Sequence, residues 1–192
     1  AVVIELLSGV GLPPKVAKMY PHELSGGMRQ RAVMAISVSL RPELMIADEP
    51  TTALDVVVQR GVLQLLADLR SKLNMSLILV THDMGVHAQL VDRLCVMYAG
   101  KVSEIGQAAH LFKEPIHPYS RALISSIPSI DDKRELAGLK GVPPNLIEPP
   151  SGCRFYPRCP YVEEKCRSKP PELVEIEPER LVACHLYGDT DV

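Results

Sequence analysis

Two adjacent acids end an apolar run, Leu44-Met45-Ile46-Ala47-Asp48-Glu49, and they are the side chains of this sequence best placed for chemistry. A short apolar run reads as a buried strand of a parallel sheet. Pro50 lacks the N–H that a central strand needs, so the chain leaves the sheet there. Both carboxylates then stand at the carboxyl end of the strand, where open α/β sheets bind ligands. Asp48 can hold a hard cation such as Mg2+, and Glu49 can take a proton from an attacking water. The plainer alternative is a strand that ends in solvated acids.

Other residues of the same kind lie on either side. Ser25-Gly26-Gly27 precedes a helical segment, Met28 to Leu40, with Ala32, Val33, Ile36 and Leu40 on the expected inner face. Ser25 is a good cap and the glycines let a ligand approach the backbone. The free N–H groups and the helix dipole there suit phosphate, or else form an ordinary capped turn. Beyond Asp55, the segment Val56 to Leu73 predicts a helix with Val57, Val58, Val62, Leu65, Leu66 and Leu69 inward and Asn74 as its C-terminal cap. Ser76 to Thr81 predicts a second buried strand with His82-Asp83 at its tip. A strand–helix–strand order gives a parallel pair with a right-handed crossover. His82 therefore shares a sheet edge with Asp48 and Glu49, either to contact a phosphate oxygen or water or as a surface histidine.

Four cysteines, Cys153, Cys159, Cys166 and Cys184, form a second group in a Pro-rich tail. Four thiolates can bind zinc or an iron–sulfur cluster. The gaps are wider than those of zinc ribbons, and His185 could replace one ligand. Four reduced structural thiols are the third alternative.

The elements that carry these groups fit one α/β domain with an appendage. The chain has 192 residues, 46% apolar and 23% charged, in the ordinary range of globular proteins. A net charge of −2 gives no basic field for nucleic acid. No apolar run reaches the length of a transmembrane helix, and the N-terminus is not a signal peptide. It lacks Met and begins inside a predicted helix, which reads as a fragment. Residues 1 to 20 predict a helix, a Gly-Leu-Pro-Pro break and a short second helix. Asp92 to Ala99 and Lys101 to Ile105 predict a β-hairpin around Gly100, with Cys95 buried. A short helix around Ala108 to Phe112 and a capped helix between Pro115 and Pro128 follow. Asp131 to Pro150 reads as an extended linker.

The ordered set Leu24-Ser25-Gly26-Gly27, Asp48-Glu49, Leu54-Asp55 and a strand ending in His82 resembles the ATPase subunit of ABC transporters over residues 1 to about 110. His117-Pro118-Tyr119-Ser120-Arg121-Ala122-Leu123, Gly141-Val142-Pro143-Pro144 and Cys153-Arg154-Phe155-Tyr156-Pro157-Arg158-Cys159-Pro160 resemble the C-terminal extension of the oligopeptide and dipeptide importer branch, where Met28 is also usual. The resemblance implies three parts: a helical subdomain with the signature motif (1–42), a catalytic α/β core of a P-loop ATPase (43–112) and a Cys/Pro-rich extension (113–192). It makes Leu24 to Met28 the signature, with Ser25, Gly26 and Gly27 facing nucleotide. It makes Asp48 the acid linked to Mg2+, Glu49 the general base, Asp55 the acid of the loop after it, and His82 the switch histidine. Some members of this branch carry a four-iron, four-sulfur cluster, which makes Cys153, Cys159, Cys166 and Cys184 its candidate ligands.

The implied cofactors are ATP and Mg2+. The implied partners are a second ATPase subunit, permease subunits and, indirectly, an extracytoplasmic solute-binding protein, at the cytoplasmic face of the membrane. One departure stands out. The phosphate loop G-x-x-x-x-G-K-[ST] has no match, since Gly100-Lys101 is followed by Val102. A chain without it is expected to hold ATP poorly and to be inactive alone. Competing expectations are a non-catalytic regulatory fragment whose cysteine tail senses metal or redox state, and an ABC-type ATPase acting on DNA or the ribosome. The latter usually carry coiled coils or a second cassette, and this chain has neither.

Overall fold

The computed structural model describes residues 1–127, 139 and 141–188. The chain divides into two compact units, Ala1–Val86 and His87–Val192. In the first, α1 (Val2–Gly9) and a short 3-10 turn, Pro14–Lys18, pack beside α2 (Gly26–Ser37). The predicted second helix is thus a 3-10 turn, because Pro13 and Pro14 leave only a few residues before the chain turns extended at Met19. Arg31 ties α2 to the end of α1 by donating from Nη1 to the Val10 carbonyl at 3.1 Å.

The inner face of α2 differs from the expectation. Met34, Ala35 and Val38 are buried, whereas Val33, Ile36 and Leu40 are 54, 72 and 91% exposed. This segment is apolar on both sides, so its pattern cannot select a face. The helix also stops at Ser37, where the Ser37 and Ser39 hydroxyls bond the carbonyls of Val33 and Ile36.

β1 (Leu44–Asp48) and β2 (Ser76–Val80) pair in parallel, with Asp48 opposite Val80, and α3 (Val56–Leu73) connects them. Asp55 caps α3 at its start, and Asn74, at φ 49°, closes it in the left-handed conformation. Val62, Leu65, Leu66 and Leu69 are buried as predicted, but Val57 is exposed because it lies in the first turn, beyond the apolar stripe. The strands are not buried on both faces. Met45 and Ala47 point inward, while Leu44, Ile46, Ile78 and Val80 lie on an uncovered face. Successive strand residues alternate sides, and among the described residues only one side of this pair is covered.

α4 (Met84–Leu90) leads into the second unit. There β3 (Arg93–Tyr98), β4 (Lys101–Gln107), β5 (Val174–Glu177) and β6 (Arg180–Val182) form an antiparallel sheet in the order β3-β4-β6-β5. The hairpin is as predicted, but Cys95 is exposed. β3 alternates, turning Leu94, Val96 and Tyr98 inward and Cys95 and Met97 outward. α5 (Ala108–Lys113) and α6 (Pro118–Ser125) follow the hairpin, and α7 (Lys165–Ser168) and α8 (His185–Gly188) are single turns in the tail. Tyr98, Tyr119 and Phe155 stack as a cluster, with the Tyr98 and Phe155 rings edge to face at 5.1 Å. Of the predicted linker, residues 131–138 and 140 lie outside the described residues, and 141–150 are irregular.

Candidate functional site

The parallel register brings the tips of β1 and β2 together, so Glu49 and His82 meet. The Glu49 amide continues the ladder by donating to the Val80 carbonyl at 2.8 Å, and Glu49 itself takes φ 47°. That left-handed turn is costly for a residue with a Cβ, on the order of 1 kcal/mol. It swings the carboxylate out of the sheet toward His82. Oε1 lies 2.7 Å from His82 Nδ1 and also accepts the His82 backbone N–H at 3.2 Å. Oε2 accepts the Thr52 hydroxyl at 3.0 Å.

The electrostatics follow from these contacts. The hydrogen bond from His82 holds the Glu49 carboxyl below the usual carboxylate range. The same bond raises the His82 imidazole above its ordinary value. His82 is 84% exposed and Glu49 36%, so the pair faces solvent and is open to a ligand. Asp48, next to it, is exposed at the strand end. Its hard carboxylate oxygens suit Mg2+.

The loop after each tip is held by its own side chains. Asp55 Oδ1 accepts both Val57 N–H and Val58 N–H, at 3.0 and 2.9 Å, so this acid caps α3. Asp83 Oδ1 accepts Gly85 N–H at 2.9 Å, and its Oδ2 accepts Gln59 Nε2 at 3.1 Å, which ties the loop after His82 to α3. Thr52 and Gln59 were not singled out by the sequence. The signal for Thr52 is its place three residues after Glu49, across one turn.

Ser25 caps α2 as expected, accepting Met28 N–H at 3.3 Å. The glycines after it have a packing role within the chain. A Cβ on Gly27 would lie 2.5 Å from Val58 Cγ1, and one on Gly26 3.2 Å from Leu54 Cδ2. The Ser25-Gly26-Gly27 turn therefore sits directly against the segment that Asp55 caps, and its first amides stay at the helix start.

The four tail cysteines are in the second unit. Cys153, Cys159, Cys166 and Cys184 line one small cavity with Phe155 and His185. Cys153 N–H donates to the Cys166 carbonyl at 2.8 Å, and a Cβ on Gly152 would collide with that same carbonyl, so only glycine permits the approach. Burial pushes Cys184 up to about 11 and also raises Cys153 and Cys159. His185, the alternative ligand, has Nε2 within 2.8 Å of the Lys169 carbonyl, to which it donates. Among the described residues, no three His, Cys, Asp or Glu side chains are placed to hold a metal ion. The donor set, four sulfurs around one cavity, is that of a thiophilic metal or cluster.

Glu49 facing His82 across two parallel strand tips, and a Ser-Gly-Gly helix start packed on Leu54 and Val58, point to one class, which the comparisons bear out. The ABC transporter family model matches residues 1–52, and the model of the oligopeptide/dipeptide transporter C-terminal region matches residues 103–166. The chain belongs to the ABC transporter ATP-binding proteins. Within them it falls with the oligopeptide and dipeptide group. It is 47% identical over 184 residues to the oligopeptide transport ATP-binding protein OppD of Salmonella typhimurium, covering 94% of this chain and 55% of that protein. It is 45% identical over 185 residues to the dipeptide transport ATP-binding protein DppD of Escherichia coli, covering 95% and 57%. The chain thus spans a little over half the length of these relatives. Among solved structures, a metal-chelate type ABC transporter in an inward-facing conformation superposes with a TM-score of 0.57 at 26% identity, over 66% of this chain and 48% of that one. No helix among the described residues is long and apolar enough to cross a membrane.

Proposed function

We propose that the chain is part of the ATP-hydrolysing subunit of an importer for peptides or related solutes, working at the cytoplasmic face of the membrane. The observation that carries this is the contact between Glu49 and His82 at the tips of two parallel strands, 2.7 Å apart. Its pairing with the oligopeptide-type tail supports the branch. The three parts expected from the sequence, 1–42, 43–112 and 113–192, are then the signature subdomain, the catalytic core and the branch-specific extension.

In this reading the substrate is ATP with Mg2+, as in the family. Asp48 would hold Mg2+, which when bound would supply positive charge against the phosphate oxygens. Glu49 accepts a proton from water as the new O–P bond forms at the γ-phosphorus and the bond to the ADP oxygen breaks. His82 donates a ring N–H to a γ-phosphate oxygen. The amides of Gly26 and Gly27 and the α2 dipole face nucleotide held by a second ATPase subunit, with Asp55 organising the segment between. Permease subunits are the coupled partners, and a solute-binding protein acts through them. The cysteines Cys153, Cys159, Cys166 and Cys184 hold an iron–sulfur cluster in this reading.

The test is ATP turnover by the assembled transporter carrying Glu49→Gln. Turnover is expected to fall by at least about a hundredfold with nucleotide binding retained. Unchanged turnover would remove Glu49 from the chemistry and favour the regulatory alternative.

A further inference from the structure

We propose that Thr52 is a positioning residue for Glu49, holding the carboxylate oxygen that His82 leaves free. The inference rests on the role given to Glu49 above and deepens it. The two oxygens of Glu49 have different partners: Oε1 is bonded by His82 through both its ring and its amide, and Oε2 by the Thr52 hydroxyl at 3.0 Å.

The backbone makes Thr52 a fixed support. Thr52 N–H donates back to the Glu49 carbonyl at 3.2 Å, closing a turn over Pro50 and Thr51. Pro50 has a locked φ, and Thr51 is only 8% exposed. Thr52 is β-branched, so its χ1 has few alternatives. The hydroxyl, on an exposed residue, is thus presented from a short turn closed on Glu49 itself, whereas the partner on the other oxygen is an imidazole from a second strand tip.

This asymmetry divides the work. A base must aim one lone pair at the water, and the terminal torsion of a glutamate is broad and soft. When the His82 ring turns toward a phosphate oxygen, Oε1 keeps only the His82 backbone N–H at 3.2 Å, and one of its lone pairs opens to water. The Thr52 bond to Oε2 remains and keeps the carboxylate plane from rotating. Without it, Glu49 spends part of its time misdirected and the chemical step slows, while ground-state ATP binding, which does not use Thr52, is untouched.

The experiment compares Thr52→Val, which keeps the shape and deletes the hydroxyl, with Thr52→Ser, which keeps the hydroxyl. Both are measured for ATP turnover in the assembled transporter. Thr52→Val is expected to lower kcat about tenfold with KM for ATP unchanged, Thr52→Ser to retain kcat within about twofold, and Thr52→Val to add nothing in a Glu49→Gln background. Full kcat in Thr52→Val, an equal loss in Thr52→Ser, or a change confined to KM would overturn the positioning role while leaving Glu49 as base. Full turnover in Glu49→Gln would overturn both.

Discussion

Removing the buried carboxylate of Glu104 should destabilise the second unit chiefly by orphaning two backbone amides. Glu104 is fully buried in β4, and Arg180, 10% exposed, lies 3.6 Å from its Oε1. Its oxygens also accept Ile116 N–H at 3.1 Å and His117 N–H at 3.0 Å, where the chain enters α6. Arg180 has other acceptors, the Glu114 carbonyl and, at 3.4 Å, the largely exposed Glu177 carboxylate. The cation is therefore not stranded when Glu104 is lost, whereas the two amides are. Hydrogen bonds to a charged group contribute roughly 1.5–3 kcal/mol each, so Glu104→Leu should cost about 3–5 kcal/mol after some gain from apolar burial. Arg180→Met leaves both amides bonded but leaves the fully buried Glu104 carboxylate without its cation, and should also cost about 3–5 kcal/mol. The double variant should stay at least about 2 kcal/mol below the parent, because the amides remain unpaired. Urea denaturation followed by circular dichroism measures these values, and hydrogen exchange at the Ile116 and His117 amides localises them. Recovery of parental stability in the double variant would show that the ion pair, not the amides, is what Glu104 serves.

Two further outcomes follow from the second unit. His117 is buried, with Nδ1 accepting Tyr119 N–H at 3.0 Å, and burial lowers its pKa to about 4 from 6.5. The folded form stays neutral while the unfolded chain takes up a proton below 6.5, so stability is constant above that pH and falls between 6.5 and about 4, by about 3 kcal/mol in all. His117→Asn, which keeps a capping acceptor, should lose that slope in pH-dependent denaturation; a slope of equal size would show that other groups cause it. For the cysteines, protein isolated without oxygen should contain iron and sulfide near four each per chain and absorb in the visible, and Cys159→Ser should lose both. A colourless, metal-free preparation would assign the four thiols to packing.

The legibility of this molecule depends on how local each cause is. β1 and its acids were readable because an apolar run meets Pro50 within a few residues, and α3 because Asp55 and Asn74 punctuate both ends. The placing of His82 at one sheet edge with Asp48 and Glu49 followed from one topological rule applied to two such strands, whereas its contact with Glu49 did not. The covered face of α2 was not readable, because apolar residues occur all round it and only its packing on α1 and α3 chooses among them. Cys95 was misplaced for a related reason: a hydrophobic-looking residue in a half-covered strand takes whichever side its register assigns.

The residues hidden deepest from the sequence are polar ones whose partners are conformational. In Lys101-Val102-Ser103-Glu104-Ile105 the glutamate looks like an outward strand position, yet it is fully buried. The two amides and the arginine that make this tolerable come from a turn a dozen residues on and from β6 far along the chain. Thr52 is the short-range version of the same case. Its hydroxyl reaches Glu49 across a turn that starts from Glu49 at φ 47°, a conformation that no propensity favours, with the Glu49 amide bonded to the Val80 carbonyl. The left-handed turn at Glu49 and the bond from Thr52 both occur where the strand ends, at the acid proposed as the base. A threonine that seemed only to punctuate the turn becomes part of the site once that backbone angle is known.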